Sequence, residues 1–332
     1  MKKILLLTTG GTIAAEKSEH GLIPALHSKD VVGYLEDCIT DYTFEHENLM
    51  NLDSSNIQPE EWQIMARRIY SALEGYDGIL LTHGTDTLAY TASALSFMLQ
   101  NLHKSVVLTG SQLPLGSPLT DAGTNLYTAV EAIRHEIPGI TIAFDRKIIL
   151  GSRAVKTSTL GFDAFDSVNS HYLAEIYADG IRFSDYEPPP RIGDGKPCLK
   201  DGICNDVFLL KLLPGTKPEI FDAILTTGYR GLVIEAFGAG GLHYEHRNLL
   251  EKLELLQKNG VVIVVCSQCL YERCDMSIYE VGQRILSQGI IPGRDMTTEA
   301  ASTKLMWCLG QTSDPAEVRR MFDTNFAGEV VL

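Results

Sequence analysis

The sequence predicts an α/β fold of two domains, the first larger and built on a mostly parallel sheet, the second a smaller parallel α/β domain. Three observations carry this. Short apolar runs alternate with longer amphipathic segments, the pattern of strands joined by crossover helices. The apolar runs are continuous in valine, isoleucine and leucine, as strands covered on both faces are. Finally, Tyr186-Glu187-Pro188-Pro189-Pro190, followed by Gly193, Gly195 and Pro197, interrupts the chain. Proline and glycine at that density continue neither a helix nor a central strand. The break places domains at 1–185 and 207–332, with 186–206 as linker, and 332 residues suit two domains of roughly 150 each.

In chain order, the predicted strands of the first domain are Lys3–Thr9, Gly78–Thr82, Ser105–Thr109 and Ile140–Phe144. Those of the second are Val207–Leu213, Leu232–Phe237 and Val261–Cys266. Pro59–Gly75 reads as a helix: proline suits its first turn, and Trp62, Ala66, Ile69 and Leu73 recur at helical spacing. Thr87–Gln100 and Thr120–His135 show the same periodicity. Leu249, Leu250, Leu253 and Leu256 form a stripe that stops at Gly260, a C-terminal cap.

Composition excludes several classes of function. A net charge of −14 repels phosphate backbones and anionic membranes, so nucleic acid is not the expected partner. Ile4–Leu7 is too short for an export signal and fits a first strand better. No apolar stretch reaches the roughly 20 residues that span a bilayer. Seven cysteines, an odd number at low density, read as reduced thiols of a cytoplasmic protein.

Four segments carry chemistry. Thr8-Thr9-Gly10-Gly11-Thr12-Ile13-Ala14 follows the first strand directly. Its glycines let the backbone turn sharply and let a ligand reach its amides. A hydroxyl at the carboxyl end of a parallel strand lies where open α/β sheets bind ligands. The spacing fits neither the dinucleotide nor the P-loop fingerprint, so alone the segment is a glycine turn or a nucleophile's elbow. His83-Gly84-Thr85-Asp86-Thr87 repeats the arrangement after Gly78–Thr82. Thr85 or Asp86 suits the cap of the next helix, and equally sets a second hydroxyl and a carboxylate opposite Thr12. Lys156, within Arg153-Ala154-Val155-Lys156-Thr157-Ser158, is either a solvated charge or, desolvated, the base that a threonine nucleophile needs. Leu52-Asp53-Ser54-Ser55-Asn56 is a turn before the Pro59 helix, or a cradle of hydroxyls and amides for a carboxylate.

Together these segments resemble the bacterial-type L-asparaginases, and within them the cytoplasmic type I enzymes. TTGGTIA at 8–14, THGTDT at 82–87, TGSQLPL at 109–115, Lys156 and DMTTEAASTKLMW at 295–307 stand in the family's order, and the resemblance spans essentially the whole chain. It implies a flavodoxin-like sheet, hydrolysis of L-asparagine to L-aspartate and ammonia, no cofactor or metal, and assembly as dimers or dimers of dimers. By position it makes Thr12 the nucleophile. Thr85, Asp86 and Lys156 become a second catalytic group, with the aspartate also holding the substrate's α-amino group. Asp53, Ser54 and Ser55 match the segment that binds the α-carboxylate and amino group. The Ser111 carbonyl faces the scissile amide. Backbone amides near Gly11 and Gly84 are the expected oxyanion donors.

Two departures stand out. Many members carry a tyrosine in the loop after the first motif, whereas Gly21-Leu22-Ile23-Pro24 puts Leu22 there, and leucine cannot relay a proton. His20 and His27 in the same loop read as solvated, and the loop itself as a lid. Ser55 stands where exported relatives tend to have glutamine, which predicts a preference for asparagine over glutamine.

Other signals carry less. Cys266-Ser267-Gln268-Cys269, with Cys274, lacks the second ligand pair that zinc needs and reads as packed thiols. Phe237-Gly238-Ala239-Gly240-Gly241 lacks the lysine of a phosphate loop, and the resemblance places it at a subunit interface. Trp62 and Trp307 read as core. Two rival functions are an asparaginase-like subunit of a tRNA-dependent amidotransferase and a ligand sensor without turnover. The amidotransferase subunit usually carries an extra N-terminal domain, and the acidic charge opposes tRNA. The sensor is supported by the missing tyrosine and opposed by Thr12, Thr85, Asp86 and Lys156.

Overall fold

The apolar run Ile4–Leu7 is buried along its whole length, because its strand lies inside a sheet covered on both faces. The structure is a computed structural model that describes residues 2–18, 21–24, 28–184 and 195–331. The proline-rich start of the predicted linker lies outside the described residues. The chain forms two units, Met1–Asp201 and Gly202–Leu332.

The first unit is built on eight strands: β1 (Lys2–Gly10), β2 (Tyr42–Leu52), β3 (Gly78–Thr82), β4 (Ser105–Thr109), β5 (Gly139–Phe144), β6 (Lys147–Leu150), β7 (Ala174–Tyr177) and β8 (Gly180–Phe183). They lie in the order β8-β7-β6-β5-β4-β3-β1-β2. From β2 through β1 and β3 to β5 every pairing is parallel, the 2-1-3-4-5 order of the flavodoxin-like fold. β6, β7 and β8 extend the sheet antiparallel. Helices α1 (Ser28–Glu36), α2 (Pro59–Ala72), α3 (Leu88–Met98) and α4 (Ala122–Arg134) accompany the sheet. Chain order reverses between β1 and β3, so their carboxyl ends flank the switch point where such sheets bind ligands.

Some elements differ from the sequence reading. β2 was not among the expected strands; it is an edge strand with no residue fully buried past Phe44. The helix expected to reach Gln100 stops at Met98, since Leu99 and Gln100 pair with Leu199 and Cys198. α2 opens with a capping box between Gln58 and Glu61 ahead of Pro59. Trp62 is core, as expected.

The second unit has four parallel strands in sequence order, β9 (Val207–Lys211), β10 (Gly231–Ala236), β11 (Val262–Ser267) and β12 (Ile291–Pro292). Its helices are α5 (Glu219–Thr226), α6 (Leu250–Lys258), α7 (Glu280–Ser287), α8 (Thr298–Gln311) and α9 (Pro315–Phe322). α6 buries the leucine stripe, and beyond it Gly260 takes a φ of 83°, the left-handed residue of a helix end. Cys266 and Cys274 are buried, which raises both thiols, that of Cys274 to about 12; they pack as small apolar groups. No described helix is long and apolar enough to cross a membrane.

Trp307 is buried in α8, and beside it lies a fully buried ion pair. Lys304 Nζ is 2.6 Å from Glu329 Oε1, with both side chains at 0 % exposure. The ammonium also donates to Thr324 O at 2.8 Å, and the carboxylate accepts from the amides of Phe326 and Ala327. A charge desolvated this far is tolerable only while its partners remain. Lys304→Met is therefore expected to lower unfolding stability by about 3–5 kcal/mol, read by urea titration. Adding Glu329→Gln should recover part of the loss; a neutral single variant would refute the clamp.

Candidate active site

β1 ends at Gly10 and is followed by Gly11, with φ of 102° and 81°, backbone that L side chains rarely adopt. Space also demands glycine. A Cβ on Gly11 would intrude on the Gly84 backbone, and one on Gly84 would lie 2.6 Å from Ser54 Oγ. The loops after β1, β2 and β3 thus touch through their smallest residues. Thr9 Oγ1 donates to Thr82 O at 3.0 Å, and the Gly11 amide donates to Leu52 O at 3.2 Å. Thr12 then opens a single 3₁₀ turn, Thr12–Ala14.

The second elbow is held from three sides. Lys156 ends the hairpin strand Ala154–Lys156, paired with Phe165–Ser167. Its Nζ donates to Thr85 Oγ1 at 2.9 Å and to Asp86 Oδ1 at 2.6 Å. Neither Thr85 nor Asp86 caps α3: the N-cap is Thr87, without a side-chain cap bond. From the β2 side, Ser54 Oγ accepts from the Asp86 amide at 3.2 Å, and Ser54 O from Thr87 Oγ1 at 2.7 Å. From beneath, buried His83 contacts Gly84 O through Nδ1 at 2.6 Å and Thr91 Oγ1 through Nε2 at 3.0 Å. Thr91 in turn accepts from Trp62 Nε1 at 3.0 Å. Burial lowers the His83 ring to about 4, so at neutral pH it is uncharged, with Nδ1–H donating to Gly84 O and Nε2 accepting from Thr91. This anchor escaped the sequence reading, although the histidine directly follows a wholly buried strand.

Asp53 accepts from the Ser55 hydroxyl at 2.6 Å and the Ser55 amide at 2.8 Å. These two bonds, the hydroxyl first, hold its carboxyl below the usual range.

A cleft of about 330 Å³ gathers Gly11, Thr12, Asp53, Ser54, Gly84, Thr85, Asp86 and Lys156. Two residues expected at the site are not among those lining it. The Ser55 hydroxyl is turned to Asp53; Ser111 is buried with its hydroxyl donating to Leu113 O at 2.5 Å, a bond that does not engage the carbonyl expected to face the scissile amide. Three lining residues were not named from sequence: Ala15, Gln112 and Thr159. Gln112 stands inside TGSQLPL, so its place after a buried strand was the available signal. Leu22 lies opposite Lys17 in the hairpin Ala15–Ser18/Gly21–Pro24; His20 and His27 fall outside the described residues. Among the described residues, no group of three or more His, Cys, Asp or Glu is placed to hold a metal ion.

Chemically, the cleft brings together a hydroxyl on a glycine elbow and a hydroxyl–ammonium–carboxylate chain. A family model described as "Asparaginase, N-terminal" matches residues 3–188, and one described as "Glutaminase/Asparaginase C-terminal domain" matches 206–322. The L-asparaginase of Thermococcus kodakarensis is 44 % identical over 99 % of both chains, and its solved structure superposes with a TM-score of 0.93. L-asparaginase 1 of Escherichia coli is 34 % identical over 99 % of this chain and 98 % of its own. A glutamyl-tRNA(Gln) amidotransferase subunit of Pyrococcus abyssi is 34 % identical over 99 % of this chain and 77 % of its own.

Proposed function

This chain belongs to the asparaginase family, and from that premise we propose that it hydrolyses the side-chain amide of L-asparagine to L-aspartate and ammonia, with Thr12 as nucleophile. The observation that carries the reading is the gathering of Thr12 with the Thr85–Lys156–Asp86 chain in one cleft at the switch point. The 44 % identity to a full-length L-asparaginase favours the hydrolase over the amidotransferase subunit.

Thr12 Oγ attacks the amide carbon and the carbonyl oxygen becomes an oxyanion. Because the Gly11 amide is engaged by Leu52 O, the donor from this loop is the next amide, that of Thr12. Such a donor contributes about 3 kcal/mol. The proton of the Thr12 hydroxyl passes to the amide nitrogen, so that collapse expels ammonia and leaves an ester on Thr12, which water hydrolyses to release L-aspartate and restore the hydroxyl. Lys156, bridging Thr85 and Asp86, serves proton transfer at the reacting atoms. Asp53, held ionised by Ser55, and Asp86 take the substrate's α-ammonium, while the Ser54–Ser55 turn takes its α-carboxylate. Ser55 thus acts through Asp53. The serine at 55, where exported relatives tend to have glutamine, supports a preference for asparagine. Seven unpaired thiols support a cytoplasmic setting, and the family resemblance supports a homodimer or dimer of dimers.

Ammonia release from L-asparagine and L-glutamine by the purified protein tests the reading. We expect kcat/KM for glutamine to be about 10–200-fold lower, the usual penalty for one misplaced methylene. No release from L-asparagine would overturn the function, and equal rates on both would overturn the selectivity.

A further inference from the structure

We infer that Gln112 holds the proton of the Thr85 hydroxyl, making Thr85 a hydrogen-bond acceptor toward the cleft, so that the site accepts an amide substrate and turns away its carboxylate product. The inference rests on the amidohydrolase reading and deepens it.

Gln112 is fixed at both backbone and side chain. Its amide donates to Asp121 Oδ2 at 2.9 Å and Oδ1 at 3.1 Å, and the Leu113 amide donates to the same carboxylate at 3.1 Å. Asn125 Nδ2 steadies that carboxylate at 3.0 Å. The side-chain Nε2 donates to two carbonyls, Thr159 O at 3.1 Å and Gly161 O at 3.0 Å. Turning the amide over would set its oxygen against both carbonyls with no proton between them, so the orientation is determined. The oxygen end therefore faces Thr85 Oγ1, at 3.4 Å.

Thr85 has one proton and two lone pairs to distribute. The Lys156 ammonium can only donate, and at 2.9 Å it takes a lone pair. Gln112 Oε1 can only accept, and the longer bond to it takes the proton. One lone pair remains, and Thr85, Lys156 and Gln112 all line the cleft. Whatever rests against Thr85 must then bring a proton of its own. The –CONH₂ of asparagine does so. The carboxylate that replaces it in aspartate has only lone pairs to offer. Gln112 is thus a positioning residue, acting through Thr85 to favour release of product over its retention.

The test replaces Gln112 with methionine or leucine in the full-length protein. Either removes the acceptor at similar bulk and frees Thr85 to turn its proton into the cleft. The readout is the inhibition constant of L-aspartate divided by KM for L-asparagine. The ratio should fall about fivefold, the effect of one ordinary hydrogen bond, in both variants. A role confined to tethering the 159–161 loop would weaken both ligands together and leave the ratio unmoved, which would overturn the inference. The unsubstituted protein, assayed alongside, separates the layers. Absence of turnover there overturns the amidohydrolase reading and this one with it, whereas turnover with unmoved ratios overturns the role of Gln112 alone.

Discussion

Thr12→Ala is expected to lower kcat on L-asparagine by about 10⁴-fold or more, the scale seen when a covalent nucleophile is removed. Thr12 stands on a turn that only glycine at 10 and 11 permits, pressed against Gly84 and opening into the cleft. Nothing in the cleft other than Thr12 and Thr85 offers a threonine hydroxyl on such an elbow, and the Thr85 hydroxyl already lies between Lys156 and Gln112. Deleting one hydroxyl at Thr12 removes none of the groups proposed to anchor the substrate's charged ends, Asp53, Ser54 and Asp86. Binding of L-aspartate, followed by calorimetry, should therefore survive within a few-fold while turnover vanishes. Thr12→Ser should restore measurable turnover. If the alanine variant retained a tenth of normal kcat while Thr85→Ala did not, the two threonines would have to exchange roles.

Much of this arrangement was legible in the sequence, because it rests on local constraints. Unbroken apolar runs marked β1, β3, β4 and β5 as interior strands, and their ends located both elbows. Glycine pairs and the Asp53 turn announced where side chains leave the sheet. What remained hidden depends on partners distant in the chain. β2 carries too many charges to look like a strand, and is one because β1 offers it a full parallel register. Asp86 has the chemistry of a helix cap, yet its carboxylate goes to Lys156, 70 residues away. Ser55 was expected in the pocket, but its hydroxyl satisfies Asp53 first. Gln112 and His83 were passed over because amides and buried imidazoles acquire meaning only from what they touch.

Lys156→Met is the second large effect expected, a loss of about 10²–10⁴-fold in kcat with KM changed little. Lys156 ends a three-residue strand whose register with Phe165–Ser167 fixes its direction. Its side chain is only 18 % exposed, and its ammonium bridges Thr85 and Asp86. Methionine keeps length and fills the same space, so the hairpin is retained while the exchangeable proton is lost. The Asp86 carboxylate, at 64 % exposure, is solvated without the lysine, so the variant leaves no stranded buried charge and should fold normally. That separates this site from Lys304, where the same substitution strands Glu329 in the core. A thermal midpoint near that of the unsubstituted protein, together with the fall in kcat, would assign the loss to proton transfer. A lowered midpoint with near-normal kcat in the folded fraction would make Lys156 a structural tie between the hairpin and the β3 elbow, and leave the chemistry to Thr12 and its amides.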